Sequence, residues 1–175
     1  MRARQLPLIL IIGVLLLAGC VPQPAEDPVE PAPSSAPVFA SEEEALAAAV
    51  AAYEDYLKVS DAIMHEGGSK PERIEQVTGD PFLTVLLEGY DQMREMRWTS
   101  TGSTEMRVEE LQSVDGDILT LYVCEDVSGI DVQDSTGASV VDENRPESTL
   151  FLVTIEHKVD RSLVTSREVW SAESC

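Results

Sequence analysis

The sequence predicts an α+β fold, in which N-terminal helices pack on a curved antiparallel sheet after a signal peptide and a proline-rich tether. Three observations predict this order: an apolar N-terminal run that ends at a cysteine, a stretch dense in proline, and an apolar period that changes from helical to alternating after Gly102. Helices that all precede the strands are typical of α+β domains, because α/β domains alternate the two. We therefore divide the chain into residues 1–19, 20–38 and 39–175, of which the last is one domain of ordinary size.

The N-terminus has the pattern of a secretory signal. Arg2 and Arg4 precede residues 6–17, which are almost wholly apolar. This run is short of the ~20 residues that span a bilayer, but it has the length of a signal-peptide core. An ordinary secretory signal and an uncleaved membrane anchor are the alternatives for this segment.

The four residues that follow, Leu17-Ala18-Gly19-Cys20, resemble the lipobox of bacterial lipoproteins. The resemblance implies that the thiol of Cys20 receives a diacylglyceryl group and that the signal is cut just before it. Acyl chains would then hold the protein at the membrane, since each buried methylene contributes ~0.8 kcal/mol. We expect a lipid-anchored, extracytoplasmic protein of a Gram-positive actinobacterial envelope.

Residues 21–38 consist mainly of Pro, Ala, Glu and Ser. Proline removes backbone donors, and the stretch offers little apolar surface to offset the entropy of an ordered chain. We interpret it as a disordered spacer that reaches ~50–60 Å when fully extended in the polyproline II form. A proline-rich recognition ligand is the alternative.

The charge of the chain excludes one class of partner. The sequence has 12 basic and 32 acidic residues, a net charge of −20; loss of Arg2 and Arg4 with the signal leaves 10 basic residues and a net charge of −22. Nucleic-acid binding depends on neutralising phosphates with Lys and Arg, so we expect no nucleic-acid partner. Anionic lipid headgroups also repel this domain, which should stand off the membrane beyond its anchor.

Three helices are predicted in the first half of the domain. Ser41 and Glu44 form a capping box that opens a long amphipathic helix over residues 42–65, and two glycines follow it. Pro71 opens a short second helix that ends near Gly79. Asp80-Pro81 then predicts a third helix, with Asp80 as its cap and Pro81 at its first position, that reaches roughly residue 97.

Strands follow Gly102. An alternating pattern over residues 106–114 loses its phase near Glu109-Glu110, which indicates a β-bulge, and Asp115-Gly116 predicts a tight hairpin turn. Residues 118–127, 150–159 and 163–172 are the remaining strong strands. Residues 128–146 are polar, and are either a long loop or a small hairpin that pairs 130–134 with 138–141.

This order of elements over residues 41–173 is similar to the nuclear transport factor 2-like cone, a cystatin-like α+β fold. The resemblance implies a gap between helices and sheet that often forms a pocket. Members of that family include enzymes, ligand-binding proteins and assembly modules, so the fold alone does not determine a function.

Two cysteines remain if Cys20 is lipidated. Cys124 lies late in one strand and Cys175 is the last residue. Two thiols in an oxidising compartment predict a disulfide, which would stabilise the fold by ~3–4 kcal/mol for a loop of this length. Redox and metal roles lack support, because no C-x-x-C motif and no close set of thiols occurs.

The chemically capable residues have structural interpretations. We expect His65 to cap the first helix and His157 to lie on a strand at the surface, and a metal site shared by the two is the alternative. The pairs Asp115/Asp117 and Asp131/Asp134 could suggest calcium, but they lack the EF-hand order of ligands and fit ordinary turn chemistry.

Tyrosines and one aspartate carry the enzymatic alternative, which is an isomerase of the ketosteroid type. Tyr53, Tyr56, Tyr90 and Asp91 are its candidates. Tyr53 and Tyr90 fall on apolar helix faces, so we interpret them as core residues with bonded hydroxyls.

No nucleophile-elbow serine and no glycine-rich phosphate loop occurs in the sequence, so we predict no catalytic residues, no cofactor and no metal site. We expect a membrane-anchored, non-catalytic binding or assembly module. Its partner is either a small apolar ligand in a helix–sheet pocket or a protein that contacts the sheet or residues 128–146. An isomerase or dehydratase is the distant alternative.

Overall fold

The first helix, α1, spans Glu42–His65, as the sequence predicts, in a computed structural model that describes residues 38–171 and Cys175. The side chain of Ser41 accepts a hydrogen bond from the Glu44 amide at 3.2 Å, and the Glu44 carboxylate accepts one from the Ala40 amide at 2.8 Å. These bonds satisfy amides that have no partner inside the helix. The signal peptide, Cys20 and the tether up to residue 37 lie outside the described residues.

The second predicted helix is a 3-10 helix, Pro71–Gln76, and it ends before Gly79. Helix α2, Phe82–Met96, begins one residue later than predicted. The assignment of Asp80 as its cap was wrong: Pro81 precedes the first helical residue, and no side chain caps the helix. The physical reason is that the Asp80 carboxylate accepts a hydrogen bond from the Thr84 hydroxyl at 3.0 Å, and from no helix amide.

Within residues 38–171, six strands follow the helices. They are β1 Thr99–Thr101, β2 Glu105–Asp115, β3 Ile118–Asp126, β4 Asp131–Gln133, β5 Ser148–His157 and β6 Ser162–Ser171. The main sheet has four antiparallel strands in the order β2-β3-β5-β6. The α+β architecture predicted from the sequence is therefore confirmed, with the helices packed against a curved antiparallel sheet.

The predicted bulge is present, because the β2–β3 register shifts between Val108 and Glu110 and again between Leu111 and Ser113. The sequence did not predict the small second sheet, in which β1 pairs with β4. The hairpin alternative for residues 128–146 holds in part. The Val140 amide donates to the Val132 carbonyl at 2.8 Å, but the strand partner of β4 is β1.

The core lies between α1 and one face of the main sheet. Alternate residues of β3 and β5 are buried on this face: Leu119, Leu121, Val123, Phe151, Val153 and Ile155. Tyr53 and Ile63 are the largest fully buried side chains that α1 contributes. This packing leaves a space between the sheet and the two helices.

Cys124 and Cys175 lie close together, with Cα atoms 5.9 Å apart, in a geometry compatible with a disulfide. The carbonyl oxygen of Cys175 also accepts a hydrogen bond from Arg107 Nη2 at 2.9 Å. Within the part of the chain that the structure describes, no helix is long and apolar enough to cross a membrane.

Candidate functional site

A cleft of about 380 Å³ lies between the two helices and the sheet. One wall comes from α1 and α2, and the other comes from the end of β3, from β4 and from the segments around them. Its apolar lining includes Leu57, Met64, Leu86, Met93, Val127, Ile130 and Val132. A concave and mostly apolar space with a few polar groups is the usual form of a small-ligand site.

Glu125 is a buried carboxylate at this cleft, with only 3% of its surface exposed. It lies on β3 two residues after Val123, so it belongs to the strand face that is buried against the helices. Burial of a charge requires a partner. Arg167 of β6 supplies one through two hydrogen bonds, Nε to Oε1 at 2.7 Å and Nη2 to Oε2 at 2.5 Å.

Two aromatic rings complete this arrangement. The Tyr53 hydroxyl donates a hydrogen bond to Glu125, and the Arg167 guanidinium carbon lies 3.5 Å from the centre of the Phe151 ring. Burial alone would lower the pKa of Arg167, but the hydrogen bonds and charge of Glu125 outweigh burial and raise it. Burial and the adjacent Glu125 charge raise the pKa of Tyr53 well above its ordinary value. Arg167 and Tyr53 therefore both keep their protons near neutral pH.

The other helix tyrosines are also engaged. The Tyr90 hydroxyl donates to Ser60 Oγ at 2.9 Å, and Tyr56 forms a side-chain hydrogen bond with the same serine. Burial is the main cause that raises the pKa of both phenols. Tyr53 and Tyr90 are thus core residues with bonded hydroxyls, as the sequence predicts. The fourth candidate, Asp91, is exposed on α2 and pairs with Arg94.

Arg145 lines the cleft from the segment between β4 and β5. Its Nη2 donates to two backbone carbonyls, those of Val127 and Ile130, both at 2.9 Å. Among residues 38–171 and Cys175, no carboxylate forms an ion pair with it. Arg145 contributes to lowering the pKa of Asp131, but the hydrogen bonds from Ser139 and Gln133 are the larger causes.

The histidines lie in separate places and form no joint site. His65 Nε2 donates to the Gly102 carbonyl at 2.6 Å, so it connects the end of α1 to the segment after β1. His157 Nδ1 lies 2.8 Å from Ser162 Oγ, and its ring contacts Phe39. In the described part of the chain, no group of three or more His, Cys, Asp and Glu residues could hold a metal ion.

Three of the four candidate calcium aspartates lie at turns, and Asp131 lies on β4. Asp134 accepts hydrogen bonds from the Thr136 amide and hydroxyl and from the Ala138 amide, which lower its pKa. Asp131 accepts from Gln133 and Ser139. Asp115 and Asp117 are exposed at the β2–β3 hairpin. The contacts of Asp134 are ordinary aspartate turn chemistry, as the sequence predicts, whereas Asp131 bonds side chains on and beside β4.

Sequence reasoning missed three residues at this cleft. Glu125 had a detectable signal, because the period-two pattern of β3 places it on the same face as Leu121 and Val123. Arg167 is harder to find, since a register shift between Thr154 and Ile155 changes the phase of β6. Arg145 had no signal, because its contacts depend on the path of an irregular segment.

The opposite face of the sheet is partly apolar. The rings of Tyr122 and Trp170 lie 5.1 Å apart, and 58% of the Trp170 surface is exposed. Leu150 and Leu152 on β5 are half-buried between them and the adjacent strands. We call these four residues, Tyr122, Leu150, Leu152 and Trp170, the aromatic patch.

Comparison with known proteins identifies a fold without a family. No family model and no curated protein matches the sequence. The chain is similar to the crystal structure of the intermembrane space region of the chloroplast protein ARC6, with a TM-score of 0.54 and 11% sequence identity, over 69% of this chain and 92% of that one. It also resembles the Kfla4162 protein from Kribbella flavida, with a TM-score of 0.43 and 13% identity, over 74% of this chain and 91% of that one.

Proposed function

We propose that this protein is a lipid-anchored, extracytoplasmic binding module whose helix–sheet cleft takes a small, mainly apolar ligand. The cleft is the single observation that carries the proposal. Its volume of about 380 Å³ lies in the range of small-molecule sites, and its walls are apolar with a few fixed polar groups. The helix side of the cleft, Glu125 and Arg167 come from elements that the core already holds in place, so most of the site is preformed.

The location rests on the sequence. The lipobox-like residues 17–20 support lipidation of Cys20, and the proline-rich residues 21–38 support a spacer between membrane and domain. A net charge near −22 after signal removal supports a domain that stays in the aqueous phase beside an anionic membrane. The anchor would keep the binding site within reach of molecules that leave or enter the membrane.

We propose a non-catalytic role. The hydroxyls of Tyr53 and Tyr90 are bonded inside the core, and Glu125 is held as an ion pair by Arg167. A general base must reach the proton that it removes, and a carboxylate in two hydrogen bonds to a guanidinium is a poor base.

A second candidate function is protein assembly, which the aromatic patch favours. Trp170 is exposed and packs on Tyr122, and both residue types are enriched at protein interfaces. In this second function the sheet face binds a partner protein, and the cleft binds no ligand. A substitution in the cleft separates the two versions.

Gly89 offers a direct test of the ligand site. It lies on α2 at the cleft, and a Cβ atom there meets nothing within 4 Å. We expect Gly89→Trp to place its side chain in the cleft without disturbing the core. The neutral apolar dye N-phenyl-1-naphthylamine should bind the wild-type domain saturably, and Gly89→Trp should abolish that binding.

Gly129→Trp is the matched control. A Cβ atom added at Gly129 would also meet nothing within 4 Å, and this residue does not line the cleft. The proposal requires that this variant bind the dye like the wild type. Equal dye binding by all three proteins would contradict the cleft site, and loss of binding in Trp170→Ala alone would support the sheet face instead.

A further inference from the structure

We infer that the ligand is a single-chain amphiphile with an anionic head group, whose head binds Arg145 while its chain lies in the apolar cleft. This inference deepens the proposed function and rests on it. Its basis is the charge and bonding of the groups that line the cleft, of which Arg145 is the cation without a carboxylate partner among residues 38–171 and Cys175.

The charges at the cleft do not cancel. Three charged side chains line it: Glu125, Arg167 and Arg145. Glu125 and Arg167 neutralise each other through two hydrogen bonds. Arg145 therefore leaves the lining with one net positive charge, on the surface of a domain that is otherwise strongly acidic.

The guanidinium of Arg145 is held in a fixed orientation, but only some of its N–H donors are used in hydrogen bonds within the described part of the protein. Two carbonyl oxygens, at Val127 and Ile130, occupy its Nη2 group at 2.9 Å each. A guanidinium carries five N–H donors, so the donors on Nε and Nη1 remain to bind a head group. The two carbonyl bonds fix the plane of the side chain in advance, which reduces the entropy cost of binding an anion.

Neighbouring acidic side chains leave Arg145 able to bind an anionic head group. The charge of Arg145 acts on Asp131, but it is the smallest of the causes that lower the pKa of this carboxyl. The Asp131 oxygens already accept hydrogen bonds from Gln133 and Ser139. The other carboxylate at the cleft, Glu125, is engaged by Arg167.

The apolar lining determines the rest of the ligand. Leu57, Met64, Leu86 and Met93 cover the helix side, and Val127, Ile130 and Val132 cover the other side beside Arg145. About 380 Å³ is near the lower end of the range for ligand sites, which favours one alkyl chain over the two chains of a membrane lipid. Methionine side chains adapt their shape, so chains of different lengths can fit.

Calorimetry with decanoate, decanol and decyltrimethylammonium tests the inference. The protein is the unlipidated mature chain, residues 20–175 with Cys20→Ser, at neutral pH and below the micelle concentration of each probe. Hydrogen bonds to a charged group predict that decanoate binds about tenfold to a hundredfold more tightly than decanol. The overall negative charge alone would favour the cationic probe, so a preference for the anion must come from a local cation.

Three variants locate the effect. Arg145→Gln should lose the preference for decanoate over decanol, whereas Arg161→Gln, the same charge change at an exposed turn residue, should keep it. Val85→Glu adds a negative charge to an exposed cleft residue and leaves the hydrogen bonds of Arg145 in place. It should weaken the binding of decanoate more than the binding of decanol. This last variant keeps the test valid if Arg145→Gln disturbs its loop.

The outcomes separate the two proposals. Equal binding of decanoate and decanol, unaffected by Arg145→Gln and Val85→Glu, would overturn the anionic ligand and leave an apolar-ligand site. Binding of none of the three probes, with Gly89→Trp also without effect on the dye, would overturn both. Preference for the cation would show that the domain charge dominates, and would also contradict the role of Arg145.

Discussion

Replacing Arg167 by methionine should destabilise the domain strongly, because it leaves the Glu125 carboxylate buried without its cation. Glu125 is 3% exposed and accepts two hydrogen bonds from Arg167 and one from Tyr53. Methionine is a flexible, unbranched apolar side chain, so the variant removes the charge and the donors with little change in packing volume.

The expected magnitude follows from the burial of the pair. Breaking a buried ion pair from one side costs about 3–5 kcal/mol. The Arg167 side chain is 26% exposed, so water can reach part of the site that methionine leaves empty. This hydration places the expected cost at the lower end of that range. Loss of the contact with the Phe151 ring adds about 0.5–1 kcal/mol. A total of ~4 kcal/mol corresponds to roughly 14 °C in the melting temperature of a domain that spans residues 39–175.

Urea unfolding measures the free energy of unfolding of four proteins: wild type, Arg167→Met, Glu125→Gln and the double variant. Glu125→Gln should cost only about 1–2 kcal/mol, because an amide still accepts from Tyr53 and the partly exposed Arg167 can hydrate. The double variant contains neither charge and should recover about 2 kcal/mol of the Arg167→Met loss. Arg161→Met controls for charge at an exposed position.

One pattern would refute this reasoning. If Arg167→Met cost less than about 1 kcal/mol and the two single effects added in the double variant, Glu125 and Arg167 would not interact in the folded protein. The electrostatic description of the cleft would then be wrong, and so would the assignment of Arg145 as its net charge.

Three further predictions concern the anchor, the cysteine pair and the tyrosines. Cys20→Ser should abolish incorporation of a labelled fatty acid and release the protein from the membrane fraction, whereas membrane retention without label would contradict lipidation. The Cys124→Ala/Cys175→Ala variant should lose about 3–4 kcal/mol of unfolding free energy for the 51-residue separation, and a loss below about 1 kcal/mol would argue against a structural disulfide. The pKa values of Tyr53, Tyr56 and Tyr90 are raised above 10.0, so the folded state holds protons that the unfolded state releases. Their contribution to stability is therefore complete below about pH 10 and is lost as the pH rises further, and absorbance titration should show these phenols ionising together with unfolding.

Much of the fold could be predicted because local signals agree with one another. Ser41 and Glu44 defined the start of α1, and the glycines after His65 defined its end. The bulge near Glu109 followed from a lost phase in the apolar alternation. Short elements escaped prediction: β1 has three residues, and its pairing with β4 depends on contacts between distant parts of the chain.

The candidate site was less predictable than the fold. A buried carboxylate such as Glu125 differs from a surface one only by the phase of its strand, and its partner Arg167 lies beyond a register shift. The cap of α2 was misassigned because Asp80 bonds a side chain and not the helix amides. Arg145 depends on carbonyls presented by an irregular loop, whose path no local pattern encodes.

Native mass spectrometry of the protein purified from its own host tests the central proposal most directly. Beyond the covalent lipid on Cys20, we expect the wild-type protein to carry a reproducible noncovalent mass of small-molecule size, and we expect Gly89→Trp to lack it while Gly129→Trp retains it. A wild-type protein without a noncovalent mass, or a noncovalent mass that all three proteins carry, would contradict a ligand in the helix–sheet cleft.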